Sequence, residues 1–256
     1  MTDEDKMADV NIQTYSKDDV VTHYERAEGL MPPERVLFAK YVKPGMEILD
    51  IGVGGGRTTP FLAKDAKRYL GLDYAQGMVD ACKRRFPEHD FAWGDATNLS
   101  DIGDESFDLT IFSFNGLDSI PSDEGRIQAL KEMRRVTRAD GRIIISSHNA
   151  RQLILLPNLE GASIVQTGWR TLRAAWKSLS IARRNLATGV FGKGHGYIAD
   201  PVHGGLFNHS STPESIARDA VTAGLDVVES VGAFAPRRVP RICNNWETYV
   251  LKRSGA

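Results

Sequence analysis

The residues of this chain best suited to chemistry begin at a cluster of glycines. A short apolar strand ending in Asp50 breaks into Gly52, Gly54, Gly55 and Gly56 before helix-like sequence resumes. Glycines let the main chain turn sharply and approach a ligand without a Cβ in the way, and the helix start beyond them offers N–H groups with no intrahelical partner. Two carboxylates follow at the ends of further apolar runs: Asp73 closes YLGLD, and Asp95 comes just after HDFAW. Asp73 lies about 20 residues beyond the glycine turn, where a carboxylate can accept both hydroxyls of a ribose. A strand, a glycine turn, a helix and a trailing carboxylate together describe a nucleotide site.

Spacing narrows the ligand. A pyrophosphate loop of the G-x-G-x-x-G type needs a small sixth residue for close helix and strand packing, and counting from Gly52 places Arg57 there. Asp73 would serve a nicotinamide dinucleotide equally well, whereas Asp95 has no part in such a site. A proton-transfer group is also present: His148 follows a strand-like run directly, and imidazole titrates near neutral pH.

These residues need elements to hold them in register. FDLTIFS reads as a fourth buried strand, Glu124 to Thr137 as a helix with apolar residues at Ile127, Leu130, Met133 and Val136, and RIIISS as a fifth strand after Gly141. Later, Pro213 to Ala223 reads as a helix closed by Gly224, followed by strands LDVVESV and WETYVLK. Strands alternating with helices imply a parallel sheet covered on both faces. Ligands of such sheets bind beyond the carboxyl ends of the strands, where Asp50, Asp73, Asp95, Ser113 and His148 all fall.

About 60 residues after the fifth strand, 150–211, do not read as part of this sheet and are expected to form an insertion that serves as a substrate lid. Within it Val165, Trp169, Leu172, Trp176 and Leu179 make an apolar helical stripe among Arg170, Arg173, Lys177, Arg183 and Arg184. The glycine-rich stretch that follows contains His195, His203 and His209, whose separations of eight and six residues match no compact ligand motif, so no metal site is expected. The loop before the last strand carries Arg237, Arg238 and Arg241, and these suggest an anionic acceptor.

Composition sets outer bounds. With 32 basic and 33 acidic residues the net charge of −1 argues against general polyanion binding, and no nucleic-acid partner is expected. Cys82 and Cys243 alone cannot supply a disulfide framework. The first ten residues are polar and lack the apolar core of a secretory signal, and no segment reaches the ~20 apolar residues of a membrane span, so a cytoplasmic location is expected.

The run LD-x-G-x-G-x-G followed by Arg57, the acid ending YLGLD, and Gly94-Asp95-Ala96 resemble the motifs of class I S-adenosylmethionine-dependent methyltransferases. The resemblance implies a Rossmann-like α/β fold: a doubly wound, mostly parallel seven-stranded sheet with helices on both faces, in one domain spanning 1–256. It implies a cofactor, S-adenosyl-L-methionine, whose amino-acid end meets the backbone of Gly52, Gly54 and Gly56 and whose ribose meets Asp73. Asp95 would then take the adenine amino group, with the Ala96 N–H on a ring nitrogen. Tyr74 and Met78 would flank ribose or base, Arg57 and Tyr24 would close on the methionine carboxylate, and Asp50 and Ser113 would complete the rim. The stretches GVGGGRTT, GLDYAQGMVDACKRRF, FDLTIFSFNGLDSI and SSHN further resemble a bacterial subgroup acting on sugars, surface polysaccharides or secondary metabolites.

No Pro-Pro pair follows the fourth strand, where methyltransferases of amino nitrogen usually carry one, so O-methylation of a small-molecule hydroxyl is the expected reaction. His148 is the expected base, with Asp118 and His195 in reserve. Asn115, Asp118, His195, Arg237 and Arg238 are the expected acceptor residues. The partner is then a small-molecule acceptor, anionic or sugar-derived, and the candidate assembly a homodimer. A non-catalytic module that binds the cofactor, or a nicotinamide oxidoreductase, are the competing functions.

Overall fold

The computed structural model describes residues 3–157, 163–200 and 206–255. Three helices, α1 (Asp3–Tyr15), α2 (Asp18–Glu25) and α3 (Pro32–Tyr41), precede an alternating run: β1 (Glu47–Ile51), α4 (Thr59–Leu62), β2 (Arg68–Asp73), α5 (Gln76–Arg85), β3 (Asp90–Trp93), β4 (Phe107–Phe112), α6 (Asp123–Val136) and β5 (Thr137–Asn149). The insertion supplies α7 (Ile164–Ala187), α8 (Val190–Lys193), β6 (His195–Asp200) and β7 (Leu206–Ser211). The chain then returns through α9 (Pro213–Thr222), β8 (Leu225–Gly232) and β9 (Trp246–Arg253).

The strands β3, β2, β1, β4 and β5 lie side by side in that order, all parallel. β9 pairs antiparallel with β5, and β8 antiparallel with β9, so β8 runs in the same sense as β5. The order reverses between β1 and β4, which opens a crevice at their carboxyl ends.

The period of two along each strand builds two core layers. Leu49, Ile143, Ile145, Tyr249 and Leu251 face α6 and α9, while Ile48, Ile144 and Val250 face α3 and α5. The helix caps agree with the chain's local chemistry: Ser122 accepts from the Gly125 N–H at 3.0 Å to start α6, and Thr212 accepts from Ser215 to start α9.

Among the described residues the sheet has nine strands, the seven expected and two more, because the insertion is not all helix and loop. Its β6–β7 hairpin joins the far end of β5, where His148 and Asn149 pair with Ser210 and Ser211. β9 already occupies one edge of β5 as far as His148, so β7 takes the edge that β4 leaves at Ile145. The hairpin therefore sits above the loop after β4. Asn11 of α1 ties this corner together, donating to the carbonyls of Ser119 (3.0 Å) and Phe207 (2.9 Å) and accepting from the Phe207 N–H.

Candidate functional site

The turn after β1 is shaped by positive φ at Gly52 (+64°), Gly54 (+55°) and Gly56 (+80°). Only glycine adopts this region without strain. A Cβ at Gly52 would meet the Phe112 ring at 2.7 Å, so the turn is also too tightly packed for a side chain. The Asp73 carboxylate braces the turn, accepting the Gly54 N–H at 2.8 Å and the Ala75 N–H at 2.9 Å. Burial pushes its pKa up, and these backbone donors oppose the rise. A carboxylate has about four acceptor positions, and with the Tyr74 backbone also directed at it at least one remains for a ligand.

At the next strand end Asp95 uses one oxygen for the Thr97 N–H and hydroxyl, both at 2.8 Å. Gly52, Gly54, Asp73, Tyr74, Met78, Asp95 and Ala96 line a single cavity of about 890 Å³, which continues past Ser113 and Phe114. Its roof comes from the N-terminal helices: Ala8, Ile12 and Tyr15 of α1 and Tyr24 of α2. This size suits a drug-sized ligand.

Beside the cavity, the loop after β4 holds two consecutive residues in left-handed conformation, Phe114 (φ 53°) and Asn115 (φ 64°). Such strain in a bulky residue persists only when its surroundings enforce it. Here the Asn115 N–H donates to Ser146 Oγ at 2.6 Å, and the Phe114 ring lies under the Arg57 guanidinium at 5.0 Å. Asn115 Nδ2 stands 3.3 Å from His148 Nε2, and Asp118 Oδ2 accepts both the His148 N–H (2.7 Å) and its Nδ1 (2.8 Å). Asp118 is fully buried, which alone would raise its pKa; the hydrogen bond and charge of His148, with the Arg126 guanidinium at 3.0 Å, hold it below the ordinary value instead. Asp118 is thereby an ionised orienting group for His148, and it directs Nε2 of the imidazole toward Asn115.

Comparison with known proteins bears on this arrangement. Residues 49–145 match a family model described as a methyltransferase domain. Demethylmenaquinone methyltransferases from Paenarthrobacter aurescens and Beutenbergia cavernae are 37% and 34% identical to this chain over 124 and 136 residues, which is 48% and 50% of this chain. The aligned part covers 47% and 55% of those relatives, so the chain spans about half the length of the curated relatives it matches. Residues 49–145 are a class I S-adenosylmethionine-dependent methyltransferase domain.

Solved structures agree on the fold. The CcbJ methyltransferase of Streptomyces caelestis superposes with a TM-score of 0.64 at 18% identity, covering 94% of this chain and 98% of that one. The 1,6-didemethyltoxoflavin-N1-methyltransferase of Burkholderia thailandensis gives 0.62 at 16%, covering 99% and 92%. The methyltransferase domain's own residues fit the cofactor: a side-chain-free turn, a carboxylate with an acceptor position to spare, and a second carboxylate line one cavity.

Several residues expected at the cofactor lie elsewhere. Arg57 does not line the cavity; it makes a buried two-pronged pair with Glu34 at 2.6 and 2.7 Å and donates to the Gly29 carbonyl. Asp50 is buried against Thr58 Oγ1 (2.6 Å) and Tyr69 OH (3.0 Å), and its burial lifts the pKa to about 6. Gly56 packs against Phe86, outside the lining. Arg57 and Asp50 are taken up in fixing the turn, because a charged side chain placed under a buried turn must find a partner there.

The acceptor set is also divided. Asn115 and Asp118 meet His148, whose side chain is 38% exposed, but none of the three lines the cavity, whose wall here is Phe114 and Gly116 on either side of Asn115. Arg237 and Arg238 are exposed on the loop after β8 and do not line the cavity. Among the described residues none from 150–211 lines it either; the roof that the sequence assigned to the insertion comes from α1 and α2.

His203 lies outside the described residues. His195 and His209, by contrast, are brought together with Asp123, and burial lowers the His209 pKa to about 3. No spacing rule could have revealed this grouping, since it depends on the cross-strand register of β6 and β7. Tyr15, whose hydroxyl lies 3.2 Å from Ser119 Oγ, is a lining residue the sequence reading missed. No local pattern marked it, since α1 is largely polar and its described buried residues are Asn11 and Thr14.

Proposed function

We propose that this chain transfers a methyl group from S-adenosylmethionine to a small, largely apolar acceptor carrying an ionisable hydroxyl. The observation that supports this most is the single cavity in which the glycine turn, Asp73 and Asp95 share walls with Ile12, Tyr15, Phe114 and Ile120. The polar half suits the adenosyl and amino-acid parts of the cofactor, and the apolar half suits a ring or hydrocarbon. The names of the curated relatives, demethylmenaquinone methyltransferases, support a small-molecule acceptor. An anionic sugar has less support, because Arg237 and Arg238 stand outside the cavity lining.

The cofactor supplies a methyl group already activated on sulfonium. What remains for the protein is alignment and proton removal. Asp73 and the glycine turn hold the donor, and the α1–α2 roof excludes water from the acceptor. Asp118 accepts from Nδ1–H of His148, so Nε2 carries the lone pair, and it would take the hydroxyl proton through a bridging water that displaces the Asn115 amide N–H.

The test is incubation with isotopically methyl-labelled donor and a panel of phenols, quinols and sugar phosphates, read by mass spectrometry. Labelled phenol or quinol ethers are expected. Label carried only by sugar phosphates would reverse the acceptor assignment. Tight S-adenosylhomocysteine binding with no turnover of any lysate fraction would favour a non-catalytic binding module.

A further inference from the structure

We propose that Asp123, His195 and His209 form a binding site for a divalent transition-metal ion, with zinc the best fit to two imidazoles and a carboxylate. One donor atom from each lies within 4.8 Å of the others. His209 Nε2 is 3.3 Å from Asp123 Oδ1, and His195 Nδ1 is 3.8 Å from Asp123 Oδ2. Ligands about 2.0–2.2 Å from a tetrahedral zinc stand roughly 3.3–3.6 Å apart, so a small turn of the His195 ring completes the spacing.

Three elements build the group. β6 and β7 pair His195 with Ser211 and Tyr197 with His209, which sets the two histidines diagonally on one face of the hairpin. Asp123 comes from the first residue of α6. His209 is 1% exposed, and its Nε2 has no hydrogen-bond partner. A buried ring nitrogen left without a partner is unusual and points to a ligand.

Its other nitrogen is already supported as a metal ligand's would be. Nδ1 shares a hydrogen bond with Ser211 Oγ at 3.0 Å, and that hydroxyl accepts from Arg126 Nη2 at 3.3 Å. Asp118 and Asp219 counter the Arg126 charge at 3.0 and 3.5 Å. Asp123 and His195 remain partly open to solvent, so an ion can enter. Ser122 and Glu124, on either side of Asp123, line the main cavity, so the ion would pin the inserted hairpin to the cavity wall.

Chelator-stripped full-length protein titrated with Zn²⁺ against a chromogenic chelator should take up one equivalent. His195→Ala and Asp123→Asn, both at partly exposed positions, should each weaken binding at least tenfold, and Ser211→Ala about tenfold through the supporting hydrogen bond. Co²⁺ in place of Zn²⁺ should give visible bands without thiolate charge transfer, which separates this site from the buried Cys82 and Cys243. No stoichiometric uptake, or an affinity unchanged in the His195→Ala, Asp123→Asn double variant, would overturn the site.

A separate observation concerns α7, which we infer lies on an anionic lipid surface. Val165, Trp169, Leu172, Trp176 and Leu179 follow steps of four and three residues, and they are 66 to 74% exposed. The same helix holds Arg170, Arg173, Lys177, Arg183 and Arg184 and no acidic residue, in a chain of net charge −1. Only Ala174 and Asn185 are buried. A long helix with an aromatic-rich apolar stripe and charged residues that are all basic suits the plane of a negatively charged bilayer, with the indoles at the headgroup level. No described helix is long and apolar enough to cross a membrane, so the contact is with the surface.

The full chain should co-sediment with phosphatidylcholine vesicles containing phosphatidylglycerol but not with phosphatidylcholine alone, with a blue shift of tryptophan emission. Trp169→Ser with Trp176→Ser should abolish sedimentation, and added salt should weaken it. Equal behaviour on both vesicle types would overturn the inference. So would a dimer in light scattering that the same double substitution dissolves, since the stripe would then be a protein interface.

Discussion

The β1–β5 half of the molecule and the insertion use apolar residues in opposite ways. In the first, Ile48, Leu49, Leu109 and Ile144 are wholly buried between helices, and β1, β2 and β4 end in Ile51, Asp73 and Phe112, which line the cavity. In the second, α7 keeps seven large apolar side chains exposed, from Ile164 at 92% to Leu186 at 60%. A parallel sheet buries both faces, so its strands are apolar throughout and their polar ends stand out. An amphipathic helix shows the same stripe whether it is covered or bare. A chemical motif is therefore legible in the first half, while in the second only the fold reveals what the stripe touches.

The largest effect that would break this comparison lies at the boundary between the two regions. If His148 is the base, His148→Ala should lower kcat by about 10² to 10⁴ while S-adenosylhomocysteine affinity stays nearly constant, as rapid-mixing kinetics and calorimetry can check. A full-rate variant would move proton transfer to a water or to the acceptor itself. Asp118→Asn should reproduce part of the loss, because the imidazole tautomer would no longer be fixed.

Stability contrasts the two regions directly. Ile144→Ala, in the centre of the sheet, should cost about 2–5 kcal/mol in urea unfolding. Asp50 adds a pH dependence. Its folded-state pKa is raised from 3.8 to about 6, so the folded chain holds a proton that the unfolded chain releases. Stability from this group is present below about pH 4 and is lost as pH rises to about 6, a change of roughly 3 kcal/mol. The difference between wild type and Asp50→Asn should show that fall between pH 4 and 6 and none above it.

Asp73→Ala should weaken S-adenosylhomocysteine binding about tenfold or more by calorimetry, with a charge-assisted hydrogen bond lost. The smallest effect belongs to α7: Leu172→Ala should change unfolding free energy by no more than about 0.5 kcal/mol, since the side chain is 67% exposed. A loss comparable to that of Ile144→Ala would mean that the stripe is covered in solution.

The sequence by itself determined the sheet's order of elements, the glycine turn, and the two carboxylates that reach the cavity. These follow from local rules, since a period of two, a glycine at positive φ and an acid at a strand end are each visible within a few residues. Arg57 and Asp50 could not be separated from the cavity-lining residues in this way, because Glu34, Thr58 and Tyr69 compete for them only after α3 and β2 have docked. The roof over the cavity was decided by tertiary structure as well. Asn11 ties α1 to Ser119 and Phe207, residues more than a hundred positions away. The Asp123, His195 and His209 group has the same origin: cross-strand register and the docking of α6 bring together side chains whose separation along the chain carries no signal.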